Sequence, residues 1–316
     1  MPTAKDSTTS SVDASLHEDV KALLRRVRRI EIRARSSLGD NAAGNYRSRF
    51  RGQGMEFDRV REYQAGDDVR NIDWNVTARA GRPFLKVFRE ERELSVMLVV
   101  DISGSMRFGG ISGLSERSKL VTAAEAAAVL AVTALRNQDR VGLMLASAQV
   151  ERHLPCRRGR NHVLRLVREL LGTTGELRQG NLPEAIDEAS RTQRRHSFIV
   201  VVSDYLDPVL DLGRSLSRAR SRHEVVGVRI RDPAEDDLPH ARGPLWLADP
   251  EHGALRSFAG GPKAAARYRA LLAEQRAAVS QVFRESACDL IDVASDGDVV
   301  SALAAFFKKR RSMHRG

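Results

Sequence analysis

Asp101, Ser103 and Ser105 stand at alternate positions straight after an apolar run, in the stretch LSVMLVVDISGSM (Leu94–Met106). A carboxylate and two hydroxyls gathered in one turn are hard oxygen ligands of the kind that Mg²⁺ or Mn²⁺ takes. The same three residues would also serve as a polar turn that only caps the following helix. A second apolar run, SFIVVVS (Ser197–Ser203), ends in Asp204. Ligands of open α/β sheets bind outside the carboxyl ends of the strands. If the two runs are neighbouring strands, four oxygen side chains converge there. Mg²⁺ keeps several waters, so a few protein ligands suffice and a position stays open for the carboxylate of a partner.

Other chemistries fit less well. Ser105 lies in SGSM and not in G-x-S-x-G, so no nucleophile elbow forms. Asp101 as a phosphatase-like nucleophile would want a second carboxylate where Ser103 stands, and a hydroxyl is a poor general acid at neutral pH. No G-x-x-x-x-G-K-[ST] loop occurs, and Gly52 and Gly54 alone make no dinucleotide fingerprint. His153, His162, His196 and His223 are scattered without ligand spacing. The chain reads as non-enzymatic. Its two cysteines, Cys156 and Cys288, lack metal-type spacing, which fits a disulfide-free intracellular protein.

The elements that must position these residues follow from the pattern of apolar runs. Six of the seven residues Leu94–Val100 are apolar and rich in β-branching, as in a strand buried on both faces of a parallel sheet. Helix Lys119–Asn137 carries a small-residue stripe suited to close packing. Strand Arg140–Ala146 follows, with Val150–Leu154 turning back beside it. Helices are expected over His162–Leu171 and, with Pro183 at its start, Leu182–Thr192. After Ser197–Ser203 come helix Pro208–Ser221, strand Glu224–Ile230 and a strand pair at Leu245–Ala248 and Leu255–Phe258. The long helix Lys263–Ala287, strand Cys288–Val293 and helix Val299–Lys309 complete the order. Such alternation predicts an α/β fold with a doubly wound, mainly parallel sheet and helices on both faces. No internal repeat is evident.

Upstream, residues 1–16 are rich in Ser, Thr and Asp and read as a disordered tail. Residues 17–93 would hold a helix over Leu16–Arg35 and then a β-rich segment with strands at Met55–Tyr63 and Pro83–Arg89. Residues 94–310 would form the α/β domain, and 311–316 a basic tail. The helix sets Val20, Leu23, Leu24, Val27 and Ile30 opposite arginines, which suits either packing on its own domain or peripheral contact with a membrane or partner. In the β-rich segment, Arg61, Asp67, Asp68, Arg70, Asp73 and Arg79 can satisfy one another as a salt-bridge network with Trp74 as an anchor. The same residues can instead form a partner-binding face.

The net charge of +11 would suit nucleic acid, an anionic surface or an acidic partner. Almost all of the basic charge is arginine spread along the chain, so nucleic acid is the alternative rather than the first reading. No run of about 18 apolar residues occurs, and the polar N-terminus has no signal-peptide core, so a cytoplasmic protein is expected.

DISGSM after its apolar strand resembles the metal-ion-dependent adhesion site, DxSxS, of von Willebrand factor A-type domains. The preceding GQGMEFDRVREYQAGDDVRNIDWNVTARAGRPFLKVFREER is strongly similar to the signature of a bacterial branch known as domain of unknown function fifty-eight. The resemblance runs over residues 25–310 and is most specific through 52–106. It implies a von Willebrand A-like sheet and a metal-assisted interaction module rather than an enzyme. It also implies a MoxR-type AAA+ ATPase as partner and an adaptor or co-chaperone role in maturing a client protein or complex. By the same resemblance Asp101, Ser103 and Ser105 match the first metal loop and Asp204 the third. The second loop departs from the pattern: it reads Gln179–Gly180–Asn181–Leu182, with no threonine, and Asn181 offers a differently placed amide oxygen. An amide oxygen there implies weaker binding of Mg²⁺ or Mn²⁺.

Overall fold

A computed structural model describes residues 55–64, 67–90, 94–109, 117–173, 179–207, 211–236, 244–249, 251 and 254–312. The expected helix Leu16–Arg35 and the two tails, apart from 311–312, lie outside these residues. The chain divides into two units, one of residues 46–94 and one that contains residues 95–316.

In the smaller unit, β1 (Met55–Glu62) pairs antiparallel with β2 (Phe84–Glu90), from Met55↔Glu90 to Glu62↔Phe84, with a register break between Phe57 and Arg59. Both strands were legible as alternating segments. The helix between them, α1 (Trp74–Ala80), was not, because its seven residues are too few to display a period. Its ends explain it. Asp73 Oδ1 accepts the N–H groups of Asn75 and Val76, and Gly81 closes the last turn at φ +71° with its N–H on the Thr77 carbonyl. A left-handed residue after a helix favours glycine, which has no Cβ to clash.

The larger unit is built on a six-stranded sheet. Its chain order is β3 (Ser95–Asp101), α2 (Lys119–Arg136), β4 (Arg140–Ala146), β5 (Val150–Arg157), α3 (Arg160–Leu171), α4 (Leu182–Thr192), β6 (Phe198–Ser203), α5 (Leu212–Arg220) and β7 (Glu224–Arg231). There follow β8 (Pro244–Ala248), β9 (Leu255–Ala259), α6 (Pro262–Glu285), β10 (Asp289–Ala294) and α7 (Val299–Ser312). Across the sheet the order is β10-β7-β6-β3-β4-β5. All neighbours are parallel except β5, which runs antiparallel to β4 at the edge. The doubly wound, mainly parallel α/β sheet expected from the sequence is the sheet observed.

Burial follows position. Val96–Asp101 and Phe198–Ser203 are buried throughout, as central parallel strands must be, whereas β5 alternates between exposed and buried in its second half. Met97, Val99, Ile199 and Val201 pack with Ile186, Leu216 and Phe283 on one face. The alternate residues Leu98 and Val200 turn to the other, because successive strand side chains point to opposite faces. The alanine-rich α2 lies against β3, β4, β6 and β7. Gly227 in β7 exists for packing: a Cβ there would fall 2.5 Å from the Phe283 ring and 2.8 Å from Leu290 Cδ1. Phe283 also meets Tyr205 edge-on, with ring centroids 5.3 Å apart.

Reading the sheet strands in chain order, the winding reverses between β3 and β6. That reversal opens a crevice above their carboxyl ends, where ligands of such sheets bind. The register Val100↔Val202 sets the ends of the two strands level.

Candidate functional site

Asp101 ends β3 at the crevice, fully inside the protein. Its Oδ1 accepts the Ser103 N–H at 2.8 Å and its Oδ2 accepts the Ser203 hydroxyl at 2.6 Å. The second bond ties the ends of the two central strands together. Burial, and next the charge of nearby Asp204, push the Asp101 carboxyl up to about 7, against the pull of these donors. Ser103 and Ser105 follow in the 3-10 turn that leaves β3, and their hydroxyl oxygens lie 3.2 Å apart. The first loop of the predicted site is therefore assembled.

Asp204, buried at the end of β6, is engaged on both oxygens. Its Oδ2 takes the Lys119 ammonium at 2.6 Å, and its Oδ1 takes the Leu206 N–H at 3.2 Å. Lys119, fully buried at the start of α2, also pairs with Glu235. Burial opposes its charge, yet the two carboxylates outweigh it and raise its pKa above the ordinary lysine value. Burial raises Glu235, and the Lys119 charge pulls the other way.

Asn181 does not point its amide at this cluster. Its Oδ1 accepts the Glu184 N–H at 3.4 Å and its Nδ2 donates to Glu184 Oε2 at 2.9 Å, a capping arrangement at the start of α4. The amide offered to the cation by the sequence reading is thus spent on its own helix. The residue before it matters more. A Cβ on Gly180 would lie 2.3 Å from Asp207 Oδ2 and 3.5 Å from Ser103 Cβ, so the bare glycine leaves room for the Asp207 carboxylate beside this loop. Asp207 is pushed up to about 6 by burial and by the charges of Glu251 and Asp204.

Glu251, in the turn between β8 and β9, completes the set. Its two carboxylate oxygens accept the Ser105 N–H at 3.0 Å and the Gly180 N–H at 2.8 Å. Lys119, Ser203, Asp207, Glu235 and Glu251 were not singled out from the sequence. Asp207, three residues past Asp204, carried a faint signal; the reach of Glu251 across 146 positions to Ser105 carried none.

These residues fit a hard cation in a specific way. Among the described residues no group of three or more His, Cys, Asp or Glu side chains could hold a metal by itself. The donor set depends on the serine hydroxyls. Asp101 supplies a buried carboxylate whose partners are an amide and a hydroxyl, with a like charge nearby. A divalent ion would relieve that repulsion.

Among the described residues of the smaller unit the ion pairs stand separately, not as one network. Arg61 grips Asp67 through two bonds of 2.6 and 2.8 Å, and this guanidinium, with the Gln64 N–H, holds the Asp67 carboxyl below its usual range. Asp68 caps a 3-10 turn through the Arg70 N–H, while the Arg70 side chain stands 3.7 Å from it. Asp73 caps α1 and faces Lys86 at 3.8 Å. Arg79 is exposed in the last turn of α1. Trp74 is 70% exposed, which corrects its expected role as an anchor.

The strand order and the crevice at its reversal define a doubly wound α/β domain with its ligand crevice between β3 and β6. The family described as "Protein of unknown function DUF58" matches residues 59–278, and the chain belongs to it. A relative, "Uncharacterized protein Rv1480" of Mycobacterium tuberculosis, is 32% identical over 298 residues, covering 93% of this chain and 91% of the relative. The fold is similar to two solved structures. An aerotolerance-related membrane protein from Bacteroides fragilis has a TM-score of 0.47 and 17% identity, over 70% of this chain and 99% of that one. A von Willebrand factor type A protein from Catenulispora acidiphila has a TM-score of 0.41 and 13% identity, over 70% and 42%. No helix among the described residues is long and apolar enough to cross a membrane.

Proposed function

We propose that this chain is a non-enzymatic protein-binding module whose crevice uses Mg²⁺ or Mn²⁺ to receive a carboxylate from a partner. Buried Asp101, bonded to the Ser103 N–H beside the paired hydroxyls of Ser103 and Ser105 where the sheet winding reverses, is the observation that supports this best. Asp101, Ser103 and Ser105 would hold the cation, with Asp204 behind them. The ion would supply a hard positive charge that takes oxygen ligands. The two serine hydroxyls bond to each other, and among the described residues neither pairs with an imidazole.

The partner we propose is a MoxR-type AAA+ ATPase, with the chain acting as its adaptor or co-chaperone toward a client protein in the cytoplasm. The smaller unit, with exposed Trp74 and Arg79, is a candidate second contact. The competing reading is an arginine-driven binder of nucleic acid or anionic surfaces, which the net charge of +11 favours. Binding of the purified ATPase to the immobilised chain separates the two. The module reading expects retention by wild type in Mg²⁺, loss with Asp101→Ala, and modest change between about 50 and 200 mM salt. Steep salt dependence of an oligonucleotide complex, indifferent to Asp101→Ala, would favour the competitor.

A further inference from the structure

The chain supplies its own acid to the crevice. Glu251 reaches from the turn between β8 and β9 and places one carboxylate oxygen on the Ser105 N–H and the other on the Gly180 N–H, at 3.0 and 2.8 Å. The two amides belong to different loops, one leaving β3 and one entering α4. Gly180, lacking a Cβ, leaves room for the Asp207 carboxylate beside its loop. Two N–H groups that bind both oxygens of one carboxylate are a receptor for that group, with charge-assisted bonds to each oxygen.

The occupant is held in a way that suits release. β8 and β9 form a two-stranded sheet of their own, and neither joins the six-stranded sheet. Moving them therefore breaks no bond of the main ladder. A two-stranded hairpin alone is only marginally stable. Trp246 pairs with Ser257 and Ala248 with Leu255, so Trp246 and Leu255 share a face of the hairpin. Both stand about two-thirds exposed, at 66% and 67%. Asp249 shapes the turn by accepting the Glu251 N–H at 2.9 Å, and its own N–H closes the hairpin on the Ala254 carbonyl at 2.8 Å.

We propose that the Ser105 and Gly180 amides form a carboxylate seat, that Glu251 is its internal occupant, and that an acidic side chain of a partner binds by displacing the Glu251 carboxylate. This deepens the reading of the crevice as a carboxylate-binding site and rests on it. The contact is autoinhibitory. If the Glu251 carboxylate is off the seat about one tenth of the time, external binding is weakened about ten-fold.

Amide exchange and peptide titration, followed by NMR on the full chain, test this. The probe is an acetylated Gly-Glu-Gly peptide, with Gly-Gln-Gly as its control. In wild type the Ser105 and Gly180 amides should exchange slowly. In E251A both should lose protection while the amides of β3 and β6 keep theirs. The Glu peptide should shift both amides in E251A and restore their protection, with at least about ten-fold tighter binding than to wild type. The Gln peptide should do neither. E251Q keeps the side-chain shape without its charge and should fall between the two, and it carries the comparison if E251A does not fold. Equal protection in wild type and E251A, equal affinity for the Glu peptide, or no binding to E251A would each overturn the proposal. Repeating the titration with Asp101→Ala and without Mg²⁺ separates the two claims. Glu-peptide binding that persists there keeps the seat and removes the metal. Mn²⁺ binding with equal peptide affinities keeps the metal and removes the seat.

Discussion

The Lys119 ammonium lies 2.6 Å from Asp204 Oδ2, and both side chains are buried at the crevice. The aspartate at the end of β6 is therefore half committed to a protein cation, and Glu235 shares that cation. Lys119→Met would leave two buried carboxylates without their partner. Loss of one member of a buried pair costs about 3–5 kcal/mol, so urea unfolding should show a fall of that size. The triple variant with Asp204→Asn and Glu235→Gln should regain part of it. A loss under about 1 kcal/mol, in the range of surface pairs, would mean the pair is not buried as described.

Gly227 and the Phe283 ring cannot both stay in place once a Cβ is added, since the gap would be 2.5 Å. Gly227→Ala should cost about 1–3 kcal/mol, as overpacking does. Phe283→Leu should cost stability by itself and yet make Gly227→Ala less harmful. A double-mutant cycle measures this, with a coupling of about 0.5–3 kcal/mol for residues in contact. Strict additivity would contradict the packing.

These two predictions draw on different kinds of legibility. The apolar runs of β3 and β6 identified the core strands because central parallel strands are apolar on both sides, and Pro183 marked the start of α4. α1 was missed because its information lies in the flanking Asp73 and Gly81 rather than in a period. The role of Asn181 was hard to read for a related reason. An amide beside a helix start is equally good as cap or ligand, and only the position of Glu184 decides. Asp101, Ser103 and Ser105 were visible because one turn holds all three. Glu251 was invisible because the register that brings it to Ser105 belongs to a hairpin far along the chain.

His223 gives a pH dependence with a defined sign. Burial, despite the bond to the Ser190 carbonyl, lowers its pKa in the folded protein below the ordinary 6.5, and the Arg222 charge acts the same way. The unfolded chain then binds a proton that the folded one refuses. This contribution is lost as pH falls through about 6.5 and levels off below the folded value. The stability difference between wild type and His223→Gln should shift against wild type between about pH 7.5 and 5. A constant difference in urea titrations across that range would contradict the assignment.

Cys156 and Cys288 should be inert thiols in the native chain. Burial pushes them up to about 12 and about 11, and Cys156 Sγ faces the Val96 carbonyl at 3.4 Å. Reactivity belongs to the thiolate. A colorimetric disulfide reagent at pH 8 should find no fast-reacting thiol in the folded protein and two in denaturant. Fast reaction of either cysteine under native conditions would contradict its burial.

The central claim concerns a cation at Asp101, Ser103 and Ser105, and direct binding of Mn²⁺ tests it without any partner. Loss of the free-ion electron paramagnetic resonance signal on titration into the purified chain reads binding alone. The account predicts that wild type binds a single Mn²⁺ that Mg²⁺ displaces, that Asp101→Ala abolishes it, and that Ser103→Ala weakens it while the fold is kept. A wild type that binds no Mn²⁺, or binding unchanged by Asp101→Ala, would contradict the account.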